Sequence, residues 1–347
     1  MVQHYPALNR PERPTCSICI ANYNGADLLV DCLDSVFAQQ CDASVEVIVH
    51  DDASTDASVS LLRERYPQVE LLVGDANVGF CIGNNRMVEH ARGEYVLLLN
   101  NDAALFPDAI ATLLAAANAQ TPAGILTLPQ FDWTSDALVD RGCLVDPFCN
   151  PVPNLDPKRA NVAYVIGACL WIRRTLWKEL GGFPEWIESI GEDLLLCCQA
   201  RLLALPVQVA SRSGYRHRQG ASFGGNRVDA GRLSTTYRRR RLSERNKTAV
   251  VFLATPGASM WVLLALHLTT LFCEGLLLTV IKWDARIWKE IYWPAITWPM
   301  RQFGVLRTRR RQLQATRRVS LSAYLAPVVF VPQKLRLLFR HGLPKIR

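Results

Sequence analysis

The chain has 347 residues and a formal net charge of +8, so it has room for one large domain and an appendage. The first fourteen residues contain no apolar segment, and a secretory signal is therefore not expected. The eleven cysteines are scattered. Cys16 and Cys19 lie in a predicted strand that turns residues three apart to opposite faces, so a zinc site is not expected either. We interpret the cysteines as small buried side chains in a reducing cytoplasm.

The first predicted elements form a βαβ unit, which follows a polar lead at residues 1–14 that contains prolines. Residues 15–20 are predicted to form a strand, and apolar side chains at spacings of three and four predict a helix over residues 28–37. A second strand is predicted at residues 45–49. Such a unit requires parallel strands joined by a right-handed crossover. Neither a glycine-rich dinucleotide-binding turn nor a P-loop motif is present.

Polar side chains follow two of the predicted strands. They are Asp51, Asp52 and Asp56 after the strand in VIVHDDASTD, and Asn100, Asn101 and Asp102 after the strand at residues 95–99. In open α/β sheets, nucleotides bind at the carboxyl ends of buried parallel strands. Two such tips, with the Gly/Asn-rich stretch NVGFCIGNN between them, predict a nucleotide-diphosphate ligand with a divalent metal.

The remaining pattern up to residue 230 alternates between helix and strand. Helices are predicted at residues 109–119, 173–180 and 191–204, and strands at residues 125–128, 164–172 and 207–210. Residues 140–160 carry four prolines and little periodicity, which predicts a loop. The composition changes near residue 231.

The chain resembles family 2 of the inverting glycosyltransferases, which are nucleotide-sugar enzymes with the GT-A fold, over about two thirds of its length. The matching segments, in the family's order and spacing, are SICIANYNG (17–25), VIVHDDASTD (47–56), NVGFCIGNN (77–85), GEYVLLLNND (93–102), IGACLWIRRTLWKELGGFPE (166–185), GEDLLL (191–196) and HRQGAS (217–222). Within the family, the chain is similar to bacterial rhamnosyltransferases that build cell-surface polysaccharides. The resemblance implies an α/β fold of GT-A type at residues 15–230, in which a mostly parallel, Rossmann-like sheet flanked by helices binds the nucleotide sugar. A basic, apolar helical extension would follow at residues 231–347.

The resemblance also implies a set of donor-binding residues. These are Ala21, Tyr23, Asp52, Gly79, Gly83, Asn85 and Asn101. Asp52 matches the family residue that accepts a hydrogen bond from the nucleotide base, and Tyr23 would stack on that base. The glycines are expected to allow close backbone approach, and the amides to offer hydrogen-bond donors to the sugar. Asp56, by contrast, is interpreted as a cap of the next helix.

A metal is expected because negative charge builds up on the leaving diphosphate. Mg²⁺ and Mn²⁺ are hard ions that prefer oxygen ligands and would neutralise this charge. The family carries a DxD motif at this strand end, whereas the chain has Asn100, Asn101 and Asp102. Asp102 matches the metal-binding position, and Asn100 offers a neutral carbonyl ligand. His217 matches a family histidine and is either a further metal or diphosphate contact or a structural histidine.

Transfer also needs a base for the acceptor hydroxyl. Asp193, with Glu192 beside it, begins the helix predicted at residues 191–204 and matches the family's Glu-Asp motif. The helix dipole stabilises an ionised carboxylate in the first turn, and a base must be ionised and within reach of the hydroxyl. We interpret Asp193 as the base, and Glu192 as a second catalytic acid or a first-turn acid. The family's further acid is Leu195 here. A direct displacement would invert the product anomer.

The charge is distributed unevenly along the chain. Residues 231–347 hold 22 Lys+Arg and 4 Asp+Glu, whereas residues 1–230 hold 17 and 27. A basic region rich in Leu, Trp, Val and Phe favours an anionic membrane surface over nucleic acid as the partner. Residues 248–281 are long enough to span a bilayer, but Pro256 and Gly257 interrupt them and Glu274 is charged. An in-plane or re-entrant helix at the cytoplasmic face of the inner membrane is the favoured interpretation. A spanning helix and a helix buried against the enzyme domain are the alternatives.

Three functions stay open at this point. The leading one is transfer of a sugar from a nucleotide-sugar donor to a lipid-linked or surface glycan. A sugar-phosphate nucleotidyltransferase would need a Gly/Arg/Lys-rich phosphate loop near the start of the chain, which is absent. A catalytically silent glycan-binding or scaffold module is favoured by the acids missing at positions 100 and 195. The presence of Asp52, Asp102 and Asp193 argues against such a module.

Overall fold

The computed structural model describes residues 2–220, 227–229 and 232–347. These residues divide into two compact units. The first lies within residues 1–143, 153–196 and 205–222, and the second within residues 144–152, 197–204 and 223–347. Two short segments from the middle of the chain therefore belong with the C-terminal residues, which the linear boundary at residue 230 did not foresee.

Strands and helices are numbered in chain order. The strands are β1 (Val2–Tyr5), β2 (Cys16–Asn22), β3 (Val45–Asp51), β4 (Glu70–Gly74), β5 (Tyr95–Asn100), β6 (Ala103–Leu105), β7 (Ile125–Thr127), β8 (Gln130–Asp132), β9 (Leu138–Asp140), β10 (Cys143–Val145), β11 (Pro151–Pro153), β12 (Cys169–Arg173), β13 (Val207–Val209), β14 (Tyr215–His217), β15 (Arg227–Asp229), β16 (Arg232–Thr235) and β17 (Lys345–Ile346). The helices are α1 (Ala26–Phe37), α2 (Ser58–Arg65), α3 (Phe80–His90), α4 (Ala109–Ala119), α5 (Arg174–Leu180), α6 (Glu192–Leu202), α7 (Tyr237–Ala254), α8 (Ser259–Lys282), α9 (Trp293–Arg301), α10 (Phe303–Ala315), α11 (Leu321–Leu325) and α12 (Gln333–His341). A 3₁₀ turn spans Glu185–Ile187 and a π-helical segment spans Ile287–Tyr292.

The first unit is built on an eight-stranded sheet in the order β1-β4-β3-β2-β5-β12-β7-β13. Strands β4, β3, β2 and β5 are parallel, whereas β12 is antiparallel to both of its neighbours. The predicted α/β class is confirmed, and the sheet is mixed. The central strands are buried, and α1 packs on them through Leu29, Cys32, Leu33 and Val36. The periodicity that predicted this helix is thus its buried face.

Two predictions of local structure are wrong. The strand predicted at residues 164–172 begins only at Cys169, because the chain turns at Gly167 and Ala168, while Tyr164 makes an isolated bridge to Cys143. The loop predicted at residues 140–160 contains β10 and β11, which pair with each other. The prolines of β11 are exposed at both of its ends, where a strand tolerates a missing amide hydrogen.

The polar lead at residues 1–14 is joined to the main sheet. Strand β1 pairs antiparallel with β4. Arg10 donates from Nε to Glu46 Oε2 at 2.6 Å and from Nη1 to Glu70 Oε1 at 2.5 Å, and both glutamates are buried. Burial raises the pKa of Glu70, but hydrogen bonds from Ala7 and His4 and the charge of Arg10 lower it below its ordinary value. Sequence periodicity could not reveal this cluster, because its members are far apart in the chain.

A second cluster of charges lies inside the C-terminal unit. Glu244 contacts Arg240 at 3.1 Å, Lys334 at 2.9 Å and Lys247 at 3.0 Å. Glu274 contacts Arg240 at 2.6 Å and Lys334 at 2.5 Å. Three cations therefore face two carboxylates. Burial lowers the pKa of Lys247 to about 8, although Glu244 opposes the shift.

Helix α8 has one face packed inside this unit and the other exposed. Its buried residues are Met260, His267, Leu271, Gly275 and Leu278. His267 bonds to Thr248 of α7 at 2.9 Å, and Glu274 belongs to the charge cluster. By length and composition, α8 is the one helix in the described ranges that could cross a membrane, and 22% of its most apolar window is buried.

We expect the two charges on α7 to respond differently to neutral substitution. Glu244→Gln leaves three buried cations with one carboxylate and should lower the free energy of unfolding by about 3–5 kcal/mol, the usual effect of removing one partner of a buried ion pair. Lys247→Met leaves two cations and two carboxylates, so its loss should be clearly smaller. Urea denaturation followed by circular dichroism measures both. Equal losses of unfolding free energy in the two variants would contradict an excess of positive charge in this cluster.

Candidate functional site

The polar strand ends that the sequence singled out lie side by side. Strand β2 runs between β3 and β5, and the register places Asn22 beside Asp51 and Ala21 beside Asn100. The carboxyl ends of these parallel strands thus form one edge of the sheet. Tyr23 follows β2 at this edge with 52% of its side chain exposed, so its ring is open to a ligand.

Asp51 organises this edge from a fully buried position. Its carboxylate accepts from Asn22 Nδ2 at 2.8 Å, from the backbone amide of Ser54 at 2.9 Å and from Ser54 Oγ at 2.7 Å. A carboxylate has about four acceptor positions, so three bonds nearly saturate it. Asp51 therefore holds the turn after β3.

Asp52 and Asp56 anchor the loops on either side of that turn. Asp52 accepts from the amides of Val78 at 2.7 Å and Gly79 at 2.8 Å, which fixes the chain that leads into α3. These two bonds occupy about half of the acceptor positions of its carboxylate. Asp56 accepts from the amide of Ser58, the first residue of α2, at 3.0 Å and from the amide of Ala26 at 3.0 Å. The N-cap of α2 is Ala57, so Asp56 bonds to the first turn from the position before the cap.

A chain of amides connects Asp51 to the strand end of β5. Asn101 Nδ2 donates to Asn22 Oδ1 at 2.8 Å, and Asn22 Nδ2 donates to Asp51. A Cβ on Gly25 would lie 2.3 Å from Asn101 Nδ2, so the amides are packed tightly. Because Asp51 only accepts, Asn22 must point its NH₂ group toward it and its oxygen toward Asn101. Position 101 therefore needs a hydrogen-bond donor, which an ionised aspartate cannot supply.

Asp102 meets His217 beyond this chain of amides. Strand β14 pairs with β6, which sets His217 opposite Ala103, next to Asp102. Asp102 Oδ1 lies 3.1 Å from His217 Nε2, and His217 Nδ1 lies 3.3 Å from Gln130 Oε1. Both members of the pair are buried. Within the described ranges, no group of three or more His, Cys, Asp or Glu side chains is gathered around a metal position. Ala221 and Ser222, at the end of the HRQGAS segment, lie outside the described residues.

The candidate base lies at the start of α6. Asp193 is 9% exposed and accepts from the amide of Gly167 at 3.0 Å and from that of Leu194 at 2.7 Å. Glu192 beside it is buried. Ala168, the next residue after Gly167, accepts from the amide of Asn100 at 3.1 Å. One turn therefore touches both the candidate base and the strand end that leads to Asp102.

The residues expected to shape the donor pocket have structural contacts of their own. Gly79 precedes α3 with a φ of 88°, which favours glycine. A Cβ on Gly83 would lie 3.2 Å from His50 Nδ1, so this glycine lets α3 pack closely on β3. Asn85 donates to the carbonyl of Phe183 at 2.7 Å and accepts from its amide at 3.0 Å. Their donor-binding roles stay predictions.

Two residues of the site did not emerge from the sequence. Asn22 lies within the SICIANYNG segment, and its polar side chain at a strand end was a signal that could have been used. Gln130, which also accepts from Tyr215 at 2.8 Å, lies in a short strand outside every matched segment. Only the three-dimensional pairing of β8 with β14 brings it to His217.

The fold and this edge define an α/β domain with carboxylates at the ends of parallel strands. Residues 17–181, just under half of the chain, match the model of glycosyl transferase family 2.

Curated relatives resemble parts of the chain. The succinoglycan biosynthesis protein ExoO of Rhizobium meliloti (strain 1021) is 33% identical over 115 residues, which cover 33% of this chain and 32% of that protein. The N-acetylglucosaminyl-diphospho-decaprenol L-rhamnosyltransferase of Mycobacterium tuberculosis (strain CDC 1551 / Oshkosh) is 27% identical over 180 residues, which cover 43% of this chain and 59% of that protein. The chain spans 21% to 32% of the length of three curated relatives that it matches.

Solved structures share the fold at low sequence identity. S. aureus TarS 1-349 in complex with UDP-GlcNAc is 18% identical with a TM-score of 0.56, over 91% of this chain and 93% of that one. GalNAc-T7 with UDP, GalNAc and Mn²⁺ is 14% identical with a TM-score of 0.56, over 69% of this chain and 48% of that one. The predicted GT-A fold is thereby confirmed.

We expect that introducing an acid at position 101 will harm the protein. Asn101→Asp places a carboxylate against Asn22 Oδ1, and Asn22 cannot reverse without losing its bond to Asp51. An unsatisfied buried polar group of this kind typically lowers the free energy of unfolding by about 1–3 kcal/mol.

Asn100→Asp is the matched control, because it adds the same charge at the neighbouring position. Chemical denaturation compares the two variants with the wild type. An Asn101→Asp variant as stable as the wild type would show that Asn101 does not need to donate a hydrogen bond to Asn22.

Proposed function

We propose that the protein is an inverting glycosyltransferase that moves a sugar from a nucleoside-diphosphate sugar to a hydroxyl of a lipid-linked or cell-surface glycan. The observation that carries this proposal is the turn at Gly167 and Ala168. Its backbone donates to Asp193 and accepts from Asn100. The proposed base and the strand end that leads to Asp102 are therefore held by the same turn. The match to glycosyl transferase family 2 supports the reaction class.

The donor would bind across the ends of β2, β3 and β5. Tyr23 would stack on the base, Ala21 would border it, and Asp52 would accept from it with its open acceptor positions. The TarS structure that shares this fold holds UDP-GlcNAc, which supports a nucleotide sugar as donor. Saturation-transfer NMR with a panel of nucleotide sugars tests this step and identifies both base and sugar.

The residues at the end of β5 fit a divalent ion. Asp102 supplies one carboxylate and His217 an imidazole, and both are buried. Asn100 offers an amide oxygen nearby. Mg²⁺ and Mn²⁺ are commonly held by one or two carboxylates and complete their shell with water and substrate phosphates. Such an ion would neutralise the charge of the leaving diphosphate. GalNAc-T7, which shares the fold, holds Mn²⁺ together with UDP.

The displacement step would also need a base for the acceptor hydroxyl and a fixed orientation of that hydroxyl toward the anomeric carbon. Asp193 takes the proton from the acceptor hydroxyl, and the oxygen attacks the anomeric carbon from the face opposite the diphosphate. The bond from that carbon to the diphosphate oxygen breaks, and the nucleoside diphosphate leaves with the electron pair. The amides of Gly167 and Leu194 hold the Asp193 carboxylate in place before the acceptor arrives.

The second unit supports a location at the membrane, and the name of a relative supports the acceptor. We propose that the enzyme acts at the cytoplasmic face of the inner membrane and that its C-terminal region makes a peripheral contact with that membrane. The exposed apolar face of α8 and the basic residues that follow it support this location. The name of the mycobacterial relative describes a decaprenol-linked substrate, which supports a lipid-linked acceptor.

Asp193→Asn should lower kcat by about 10²–10⁴-fold, the usual contribution of a positioned base. Affinity for the donor should barely change, because the donor binds at the strand ends. Release of nucleoside diphosphate measures kcat, and NMR titration measures donor affinity. Glu192→Gln is the matched control at the neighbouring acid. A severe loss in Glu192→Gln with an active Asp193→Asn would assign the base to Glu192.

Asp102→Asn should remove most transfer activity while the protein still folds, because it deletes the carboxylate of the triplet. EDTA should inhibit the wild type, and Mg²⁺ or Mn²⁺ should restore it. Binding of Mn²⁺ in the presence of a nucleoside diphosphate, followed by electron paramagnetic resonance, gives a readout besides activity. Full activity of the wild type in EDTA would refute the metal role.

A further inference from the structure

A cleft of about 440 Å³ opens in the C-terminal unit, and none of the residues assigned to sugar transfer line it. It lies between the loop after α7, the first turn of α8 and helix α10. We propose that this cleft binds the phosphate group of an anionic membrane lipid, while the exposed face of α8 contacts the lipid chains. This inference deepens the proposed membrane location and does not depend on sugar transfer.

Positive charge without a counter-ion is the first observation behind this proposal. Four arginines line the cleft, and no acidic residue does; they are Arg307, Arg310, Arg311 and Arg317. The excess of positive charge extends beyond the cleft in the sequence. Residues 291–347 contain twelve Lys+Arg and neither Asp nor Glu. The cleft therefore has an excess of positive charge that favours an anionic ligand.

The arginines of the cleft have two different tasks. Arg310 donates to the carbonyls of Phe252 at 2.6 Å, Thr255 at 2.8 Å and Gly257 at 2.9 Å, so it caps the C-terminal end of α7. Arg307 and Arg311 are exposed, lie one turn apart on α10, and have no hydrogen-bond or ion-pair partner among the described residues. These two guanidinium groups are available to a phosphate.

The start of α8 adds to the positive potential. Gly257 and Ala258, which precede the helix, line the cleft. The first turn of α8 contains no acid, and no side chain caps it. The amino end of a 24-residue helix carries partial positive charge and offers amide donors to anions. Because Arg310 already neutralises the opposite dipole at the end of α7, the net field in the cleft is positive.

Aromatic side chains at the mouth distinguish a lipid from a free anion. Trp261 is 57% exposed and Phe303 42% exposed, and both rings pack against Phe252, with centroids at 6.3 Å and 5.8 Å. Tryptophan beside arginine is typical of the membrane interface. A site for inorganic phosphate alone would not require an exposed aromatic rim.

The outward face of α8 continues this apolar surface. Its exposed members include Val262, Leu266, Phe272, Leu276, Leu277 and Val280. The opposite face is held by His267 and by the Glu274 ion pairs, so the helix stays on its own unit with one side free. This geometry fits a helix that lies in the plane of the membrane surface, with lipid phosphates beside its first turn.

The test is vesicle binding of the full-length protein. Sedimentation with phosphatidylcholine vesicles, with and without phosphatidylglycerol, gives the partition constant. Because a basic residue near an anionic surface typically changes binding about fivefold, Arg307→Gln with Arg311→Gln should weaken partitioning into the anionic vesicles at least about tenfold. The matched control is Arg309→Gln with Arg340→Gln, which removes the same charge from the same region outside the cleft and should lose clearly less.

The remaining arms separate the possible sources of phosphate. Trp261→Ala should weaken vesicle binding and leave folding, monitored by circular dichroism, intact. Tight binding of inorganic phosphate, measured by calorimetry, with no difference between the two vesicle types would assign the cleft to a free anion and overturn the lipid assignment. If the cleft variant and the control variant lost vesicle binding equally, binding would depend on overall positive charge and not on the cleft, and the proposal would be overturned. Donor binding by NMR is measured in parallel, and its failure would concern the transferase proposal alone.

Discussion

The carboxylate of Asp51 can only accept hydrogen bonds, and this constraint orders the edge of the sheet on which the site depends. Its charge is buried, so it must be fully bonded, and the nearest donors are Asn22 and Ser54. Once Asn22 has turned its NH₂ group toward Asp51, the polarity of the next contact is decided as well. A single acceptor thus dictates the chemistry of three neighbouring strand ends.

The asparagine in the middle of the Asn100-Asn101-Asp102 triplet follows from the same constraint. Asn101 continues a chain of amides, so its side chain is engaged before any ligand arrives. Asp102 does not take part in that chain and faces His217 instead. The two neighbouring positions therefore have separate contacts: Asn101 holds the strand ends together, and Asp102, which we propose to act toward the leaving group, lies against His217. The asparagine at position 101 is then no argument for a silent protein, whereas the acid missing at position 100 is not explained by this chain of amides.

Local patterns predicted the elements whose burial has a clear period, and failed where contacts are distant. Helix α4 begins and ends where its composition indicated, at Ala109 and Ala119. The apolar run before Cys169 is buried whether extended or turned, so its pattern could not locate the turn at Gly167. Motif order predicted that Asp52, Asp102 and Asp193 would share a site. It could not show that Asp51, Asn22 and Asn101 bond to one another, because hydrogen-bond direction is absent from spacing.

The charged residues of the C-terminal unit show the same limit, because the sequence alone does not reveal which of them form ion pairs. The charge count of residues 231–347 could not show that Arg240 lies among Glu244, Glu274 and Tyr292 inside the unit. Glu274 suggested a charge that a membrane helix would have to bury in lipid, yet Lys334 and Arg240 neutralise it on the protein side of α8. A helix held in this way by ion pairs would have to break them to cross a bilayer, and each separated charge would then be costly in lipid. In the membrane contact that we propose, the same helix would rest its other face on the surface without disturbing any of these bonds.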